Sequence, residues 1–243
     1  MSPSRRVLIT GAGSGIGLAV AQVFQEQGAE VIGWDLAPNP QAGFPITAVD
    51  VRDPAALQRA AEGLQRLDVL VTCAGIARRA SAIDMRAEDW QAVLQTNLSG
   101  AFYSCQAAFP ALAASGTGLI VNIASFIAHR SGPGRASYAA AKAGVVAMTE
   151  VLALDFAAAS VRAISVSPGY TRTRMVASAI EAGRLDEQHL LASIPLGRLA
   201  ESREMAQAIV ALTGPAFQYA TGTDVLPDGG LLPPGGQQAR QGR

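Results

Sequence analysis

A glycine-rich stretch near the start of the chain reads Thr10-Gly11-Ala12-Gly13-Ser14-Gly15-Ile16-Gly17. It follows a short apolar run that is typical of a buried strand, and an alanine-rich segment of helical period comes directly after it. Glycines at such a turn let the backbone approach a pyrophosphate while the helix N-terminus faces the negative charge. We therefore predict a dinucleotide cradle formed by Gly11, Ser14, Gly15, Ile16 and Gly17.

The rest of the chain alternates short β-branched runs with longer alanine-rich segments. This alternation predicts an α/β fold, a doubly wound parallel sheet of about seven strands with helices on both faces. The predicted strands cover residues 6–10, 30–34, 47–51, 69–72, 118–125, 162–166 and 223–226, and the predicted helices cover residues 15–27, 54–64, 87–113, 137–159 and 202–213. Residues 1–232 are expected to form a single domain, followed by a flexible C-terminal tail at 233–243.

The composition points to a small-molecule partner. Lysine plus arginine and aspartate plus glutamate number 19 each, which favours neither nucleic acid nor an anionic membrane. Two cysteines are too few for a disulfide framework and have no metal-type spacing to the two histidines. There is no signal-peptide pattern at the start, and no apolar run reaches the ~18 residues that span a membrane. We expect a cytoplasmic protein without a metal.

Asp35 closes the second predicted strand, where a carboxylate can accept hydrogen bonds from the adenosine ribose hydroxyls. Neither Ser14 nor Leu36 offers a cation to a 2′-phosphate, so this position predicts NAD rather than NADP. Asp50 and Val51, at the end of the third predicted strand, are candidates for adenine contacts. The run Asp-x-x-Asp-Pro is also an ordinary helix start.

Tyr138 and Lys142 lie four residues apart in a predicted helix, which places both side chains on one face. A phenol with a pKa near 10 is a poor proton shuttle at neutral pH unless a cation stabilises its anion. At ~4 Å and an effective dielectric near 20, the ammonium of Lys142 would contribute about 4 kcal/mol. We expect Tyr138 to titrate near neutrality and to exchange a proton with a substrate hydroxyl or carbonyl.

In order and spacing, these motifs resemble the short-chain dehydrogenase/reductase family, in its shorter single-domain type. The matching positions are residues 10–17, Asn97, Ser125, Tyr138 with Lys142, Pro168-Gly169 and Thr173. The resemblance implies a Rossmann-like sheet, a nicotinamide cofactor and commonly a homotetramer.

The resemblance also implies roles for single residues. Ser125 would bind the substrate oxygen beside Tyr138, Lys142 would hold the nicotinamide ribose, and Asn97 would hold a water that links Lys142 to solvent. Asn97 is alternatively a polar residue at a helix bend. Further cofactor contacts are implied at Ala74, Gly75, Pro168, Gly169, Thr171 and Thr173.

The chain departs from the family pattern at Thr72-Cys73-Ala74-Gly75, where Asn-Asn-Ala-Gly is usual. The side-chain amides that brace the central strand are therefore expected to be missing. Cys73 is interpreted as a small buried hydrophobe. Thr171 replaces a common aliphatic residue, with a mild effect if the contact is through backbone.

Substrate recognition is the least specified part of the sequence. Residues 174–197 are amphipathic and form a candidate mobile lid. His129, Arg130 and Arg135 follow Ser125 and would suit an acidic or hydroxylated substrate, but a solvated basic loop has the same composition. An apolar pocket wall is expected from Phe126, Tyr170 and Met175.

The leading hypothesis is an NAD-dependent oxidoreductase that interconverts a secondary alcohol or polyol with its ketone. The alternatives are a dehydrogenase of a cyclic dihydrodiol-type substrate, a non-catalytic NAD-sensing protein, and a sugar-nucleotide epimerase, for which the C-terminal part is short. Turnover of NAD distinguishes an enzyme from a sensor.

Overall fold

The structure, a computed structural model, describes residues 4–231. Its strands are β1 (Arg6–Thr10), β2 (Glu30–Asp35), β3 (Ile46–Ala48), β4 (Val69–Thr72), β5 (Leu119–Ile123), β6 (Arg162–Val166), β7 (Thr171–Arg172), β8 (Ala200–Glu201) and β9 (Asp224–Val225). Its α-helices are α1 (Gly15–Glu26), α2 (Pro54–Ala61), α3 (Ala87–Leu94), α4 (Gly100–Ser115), α5 (Ala136–Asp155), α6 (Arg174–Glu181), α7 (Glu187–Ser193) and α8 (Ser202–Leu212).

Seven strands form one parallel sheet in the order β3-β2-β1-β4-β5-β6-β9. The predicted doubly wound sheet is therefore confirmed. The strand order reverses between β1 and β4, and in such sheets ligands bind outside the carboxyl ends of the strands at this reversal. Thr10 ends β1 at this point, paired with Trp34 on β2 and Thr72 on β4.

Alternate residues of each strand enter two separate cores, because successive side chains of a strand point to opposite faces. Val7 and Ile9 pack on one face with Phe24 of α1 and Ile209 of α8. Leu8 packs on the other face, in the core that also contains side chains of α2, α4 and α5. Both faces are covered, so the carboxyl edge of the sheet is left for a site.

The structure corrects several predicted element boundaries. The long helix predicted over residues 87–113 is interrupted by a π-helical turn at Gln95–Ser99, a feature common at functional sites. The third strand ends at Ala48, so Asp50 and Val51 lie in a turn. The two-stranded sheet of β7 and β8 was not predicted, because two-residue strands carry no periodic signal. The predicted tail at 233–243 lies outside the described residues.

Helix α5 is long and apolar enough, by length and composition alone, to cross a membrane. In this fold, however, one side of α5 packs on the sheet, where Ala141, Val145 and Leu152 are buried. The same side carries Tyr138 and Lys142. Packing on the sheet accounts for the apolar residues of this side of α5.

Candidate active site

The glycine turn has the close approaches that a dinucleotide cradle requires. Gly11 has a φ of +69°, and a Cβ there would lie 2.8 Å from the backbone nitrogen of Ala74. A Cβ at Gly17 would lie 2.2 Å from the carbonyl oxygen of Gly11. A side chain at either position would displace backbone, so the turn keeps its shape only with glycine.

The N-terminus of α1 is open. Ser14 is exposed at the N-cap, and its side chain makes no capping hydrogen bond. The first N–H groups of the helix are thus free of a side-chain partner, as expected where an anion supplies the acceptor. Together with the glycine contacts, this arrangement fits the pyrophosphate of a dinucleotide, held by the turn from Gly11 to Gly17, which includes Ile16.

Asp35 is fixed beside this turn. One carboxylate oxygen accepts a hydrogen bond from the backbone N–H of Gly13 at 2.8 Å, and the other accepts one from Ala37 at 2.9 Å. Each oxygen retains a lone pair for a ribose hydroxyl. The next residue, Leu36, is 68% exposed, and no ion pair involves Asp35 within residues 4–231. A negative charge therefore stands alone at this edge.

Asp50 and Val51, the two candidates for adenine contacts, have different surroundings. The carboxylate of Asp50 forms an ion pair with Arg52 at 2.6 Å, which lowers the pKa of Asp50. Val51 is buried and would contact any Cβ at Gly100. Asp53 caps α2 through the N–H groups of its first turn, so the helix-start interpretation of this run also describes the structure.

Thr10 connects the glycine turn to the end of β4. Its hydroxyl accepts hydrogen bonds from the N–H groups of Cys73 at 3.1 Å and Ala74 at 3.2 Å. Asn97, in the π-helical turn, extends the brace, because its amide bonds both the N–H and the carbonyl of Ile76 at 2.8 Å. A Cβ at Gly75 would lie 2.7 Å from the Asn97 oxygen. The side chain of Asn97 therefore holds this loop.

Ser125, Tyr138 and Lys142 converge at the end of β5. The Ser125 hydroxyl lies beside the Tyr138 phenol, whose pKa it lowers, and accepts from the N–H of Ile127 at 3.3 Å. The Lys142 ammonium lies 5.8 Å from the centre of the Tyr138 ring and donates to the Ile123 carbonyl at 2.6 Å. The three residues come from one strand end and one helix.

The expectation that Tyr138 titrates near neutrality is wrong for this chain by itself. Burial raises the pKa of Tyr138 to about 12, against smaller lowering effects of the Ser125 hydrogen bond and the charge of Arg135. Burial also lowers the pKa of Lys142 to about 8. The ammonium is held on a backbone carbonyl rather than on the phenolic oxygen, so it does not offset the burial of the phenol.

Lys142 is the only lysine among the 19 basic residues of the chain, and its side chain is 5% exposed. An ammonium on a flexible stem can be buried and can change its pKa, whereas a guanidinium stays charged. Cys73 lies near this ammonium, but burial raises the pKa of its thiol to about 11. The thiol is therefore neutral at physiological pH, which agrees with its interpretation as a small apolar residue.

The loop after β6 approaches the glycine turn. A Cβ at Gly15 would lie 3.7 Å from the methyl group of Thr173, which caps α6. A Cβ at Gly169 would lie 2.7 Å from the Asp228 backbone. The Pro168 carbonyl accepts from the N–H of Phe126, and buried Thr171 pairs with β8. This loop and the glycine turn enclose one cleft.

Side-chain hydrogen bonds between the central strands, which the sequence predicted to be missing, are made by other residues. The Thr72 hydroxyl donates to the Asn122 amide oxygen at 2.7 Å, and the Asn122 nitrogen donates to Thr149 at 2.9 Å. All three side chains are buried. One amide on β5 thus links β4 to α5, a contact that no local sequence pattern signals.

Two basic residues of the loop between Ser125 and Tyr138, His129 and Arg135, have partners on different sides of the loop. His129 is bound to Asp224 of β9 at 2.7 Å, so it faces the sheet edge. Arg135 turns to Tyr170 and donates to its hydroxyl at 2.6 Å. The Tyr170 ring lies 4.9 Å from the Phe126 ring, centre to centre. Two of the expected apolar wall residues are therefore in contact beside Ser125, while Met175 is exposed.

Comparison with known proteins agrees with this architecture. A family model described as enoyl-(acyl carrier protein) reductase matches residues 11–232. A 3-oxoacyl-(acyl-carrier-protein) reductase of Thermotoga maritima is 36% identical, with 93% of this chain and 96% of the relative covered. A D-threitol dehydrogenase of Mycolicibacterium smegmatis is 37% identical, with 92% and 91% covered. An aldohexose dehydrogenase structure from Thermoplasma acidophilum has a TM-score of 0.87 at 28% identity, with 94% of each chain covered.

The fold and the site define an oxidoreductase of the Rossmann type that uses a nicotinamide cofactor. The chain belongs to the short-chain dehydrogenase/reductase family. The resemblance identified from the sequence motifs is thus confirmed.

Proposed function

We propose that this protein is an NAD-dependent oxidoreductase that interconverts a secondary alcohol or polyol with its ketone. The observation that carries the proposal is the convergence of Ser125, Tyr138 and Lys142 at the edge where the glycine turn opens. When bound, the nicotinamide accepts or supplies the hydride. Residues 1–232 act as one NAD-binding and catalytic domain.

Each residue of the site has a separate task in this proposal. Tyr138 gives its phenolic proton to a ketone oxygen in reduction, or takes the hydroxyl proton in oxidation. Ser125 binds the same oxygen, because its hydroxyl lies beside the phenol and lowers the phenol's pKa. Lys142 holds the nicotinamide ribose. Asn97 keeps the Ile76 loop in place and holds a water that links Lys142 to solvent.

Asp35 supports NAD as the cofactor. A 2′-phosphate at the adenosine ribose would meet the fixed carboxylate, with Leu36 rather than a cation beside it. At ~5 Å and an effective dielectric near 20, this repulsion costs about 3 kcal/mol, or on the order of 100-fold in affinity. The remaining cofactor contacts in this proposal are Asp50, Val51, Ala74, Gly75, Pro168, Gly169, Thr171 and Thr173.

The first test follows nicotinamide absorbance with NAD or NADP and a panel of secondary alcohols, polyols and cyclic diols. We expect kcat/KM for NAD to exceed that for NADP by on the order of 100-fold. In the double variant Asp35→Ser with Leu36→Arg, the preference for NAD over NADP should reverse. The matched single variant Leu36→Arg keeps the carboxylate, so it should weaken the preference for NAD without reversing it. A wild-type preference for NADP would overturn the role of Asp35.

We further propose that the protein is a cytoplasmic homotetramer. Its two cysteines are unpaired, as in a reducing compartment. Apolar side chains are exposed on α4 and α5, where Phe102 is 39%, Val151 54% and Leu154 78% exposed. A second copy of the chain that packs on these two helices would remove the exposed apolar side chains from water.

Light scattering tests this assembly. The wild type is expected at four times the chain mass, and Leu154→Glu is expected to give smaller species, because a carboxylate would be buried in the contact. Ile83→Glu is the matched control, since Ile83 is 96% exposed but lies outside both helices. A monomeric wild type at assay concentration would contradict the proposal.

A further inference from the structure

Three arginines from separate parts of the chain come near one another, and one of them, Arg135, lies near Tyr138. A Cβ at Gly134 would lie 3.5 Å from the carbonyl oxygen of Ala80, so the segments that carry Arg79 and Arg135 are adjacent. Arg79 follows β4, Arg135 precedes α5, and Arg184 lies in the turn between α6 and α7. An Nη atom of Arg79 donates to the backbone carbonyl of Arg184 at 2.6 Å. Partial burial and the charges of Arg135 and Arg184 lower the pKa of Arg79. The charge of Arg135 also acts on the phenol of Tyr138.

This cluster of positive charge is not neutralised within the described chain. None of the ion pairs found in residues 4–231 includes Arg79, Arg135 or Arg184. The adjacent Arg78, by contrast, pairs with Asp89 at 3.4 Å. A lone surface arginine needs no partner, because water solvates it. The guanidinium of Arg79 is repelled by those of Arg135 and Arg184, and an anion bound beside it would offset that repulsion.

Arg135 is held in a defined orientation. Its guanidinium lies 5.7 Å from the centre of the Tyr170 ring and donates one hydrogen bond to the Tyr170 hydroxyl at 2.6 Å. The Tyr170 ring in turn packs against Phe126, the residue after Ser125. A guanidinium has five N–H donors in a planar fork that matches a carboxylate. One is used here, so the others remain for a ligand.

We propose that the substrate is a hydroxy acid, whose carboxylate is bound by Arg135 with Arg79 as the second cation. This inference rests on the proposed alcohol–ketone activity and names the class of alcohol. Arg135 offers one fork, which matches a single carboxylate. The backbone of Arg184 brings the turn after α6 to Arg79, so the candidate lid segment borders this site.

The test compares acids with neutral partners of the same shape. The pairs are 3-hydroxybutyrate with 3-hydroxybutyramide and gluconate with gluconamide, assayed with NAD at saturation. We expect the wild type to prefer an acid, and Arg135→Gln to lower the acid-to-amide ratio of kcat/KM about 10- to 100-fold, mainly through KM. The charge of Arg135 also acts on Tyr138, so its loss changes the turnover of acid and amide alike. That common effect cancels in the acid-to-amide ratio, which therefore reports the carboxylate contact alone.

Further variants separate charge from geometry. Arg135→Lys keeps the charge without the fork and should restore only part of the preference, and Arg79→Gln should reduce it less than Arg135→Gln. Arg59→Gln, on exposed α2, is the control with the same loss of charge. The acid preference should also fall at high salt. Equal ratios in the wild type and Arg135→Gln, or a wild type that prefers the amide, would overturn the proposal.

A binding measurement keeps this result independent of turnover. Calorimetric titration of the NADH-saturated protein with benzoate and with benzamide is expected to show tighter binding of benzoate in the wild type only. If no alcohol is oxidised but benzoate binds through Arg135, the proposed activity fails and the anion site stands. If alcohols are oxidised but benzoate binds no better than benzamide, the anion site fails and the activity stands.

Discussion

Replacing Tyr138 with phenylalanine is expected to lower kcat for alcohol oxidation and for ketone reduction by about 10²–10⁴-fold, the range of general acid–base catalysis. The phenol lies beside the Ser125 hydroxyl in the site, and its loss removes the proton donor and acceptor. Dinucleotide affinity should remain within a few-fold, since the glycine turn and Asp35 are unchanged. Stopped-flow absorbance for turnover and NADH fluorescence for binding measure the two effects separately.

Because the pKa of Tyr138 is raised, the rates of ketone reduction and alcohol oxidation should depend differently on pH. With a pKa near 12, the phenol is protonated throughout the neutral range, so the acid needed for ketone reduction is always present. Alcohol oxidation needs the anion, whose population rises as the pH rises toward that pKa. Tyr219→Phe is the matched control, because the Tyr219 ring is fully exposed. Turnover in Tyr138→Phe above a tenth of the wild-type value would remove Tyr138 from the mechanism.

Replacing Lys142 with methionine is expected to abolish turnover and to change stability in a pH-dependent way. Burial lowers the pKa of Lys142 from 10.5 to about 8 in the folded chain. A shift of two to three pKa units means that keeping the ammonium charged costs the folded state about 3 kcal/mol. Methionine has a similar length and carries no charge, so the variant avoids this cost, while loss of the hydrogen bond to Ile123 offsets part of the gain.

The sign of the pH dependence follows from the lowered pKa. Below about pH 8 the lysine is charged in both states, and the folded wild type bears the full cost. Between about pH 8 and pH 10.5 the unfolded chain binds more protons than the folded chain, so this group makes the wild type more stable as the pH rises. The difference in free energy of unfolding, Lys142→Met minus wild type, should therefore be most favourable to the variant at neutral pH and shrink by about 3 kcal/mol toward pH 10.5.

Urea unfolding at pH 7 and pH 10 measures this difference. Because Lys142 is the only lysine, ¹⁵N-lysine labelling gives a single side-chain signal from which its pKa is read directly. Lys142→Arg is the matched variant that keeps a charge unable to dissociate; it should be less stable than the wild type at both pH values. A stability difference for Lys142→Met that does not change with pH would show that the ammonium is solvated in the folded protein.

The sequence by itself determined the sheet and the order of the candidate site residues along it. Alternating apolar runs predict a parallel sheet because period and length of an element are local properties, and the seven-stranded sheet agrees with them. The requirement for glycine at position 17 is also local, because a Cβ there would meet the carbonyl of Gly11 in the same turn, whereas a Cβ at Gly11 would meet Ala74 from the end of β4. The spacing of Tyr138 and Lys142 likewise follows from one helix.

Only the tertiary structure decided the electrostatics of the site. From the spacing alone Lys142 should acidify Tyr138, but the ammonium bonds the Ile123 carbonyl and burial dominates both pKa values. The convergence of Arg79, Arg135 and Arg184 joins residues more than a hundred positions apart, which no periodic pattern encodes. Burial and charge proximity are properties of the packed chain, because both depend on which distant segments exclude water from a group.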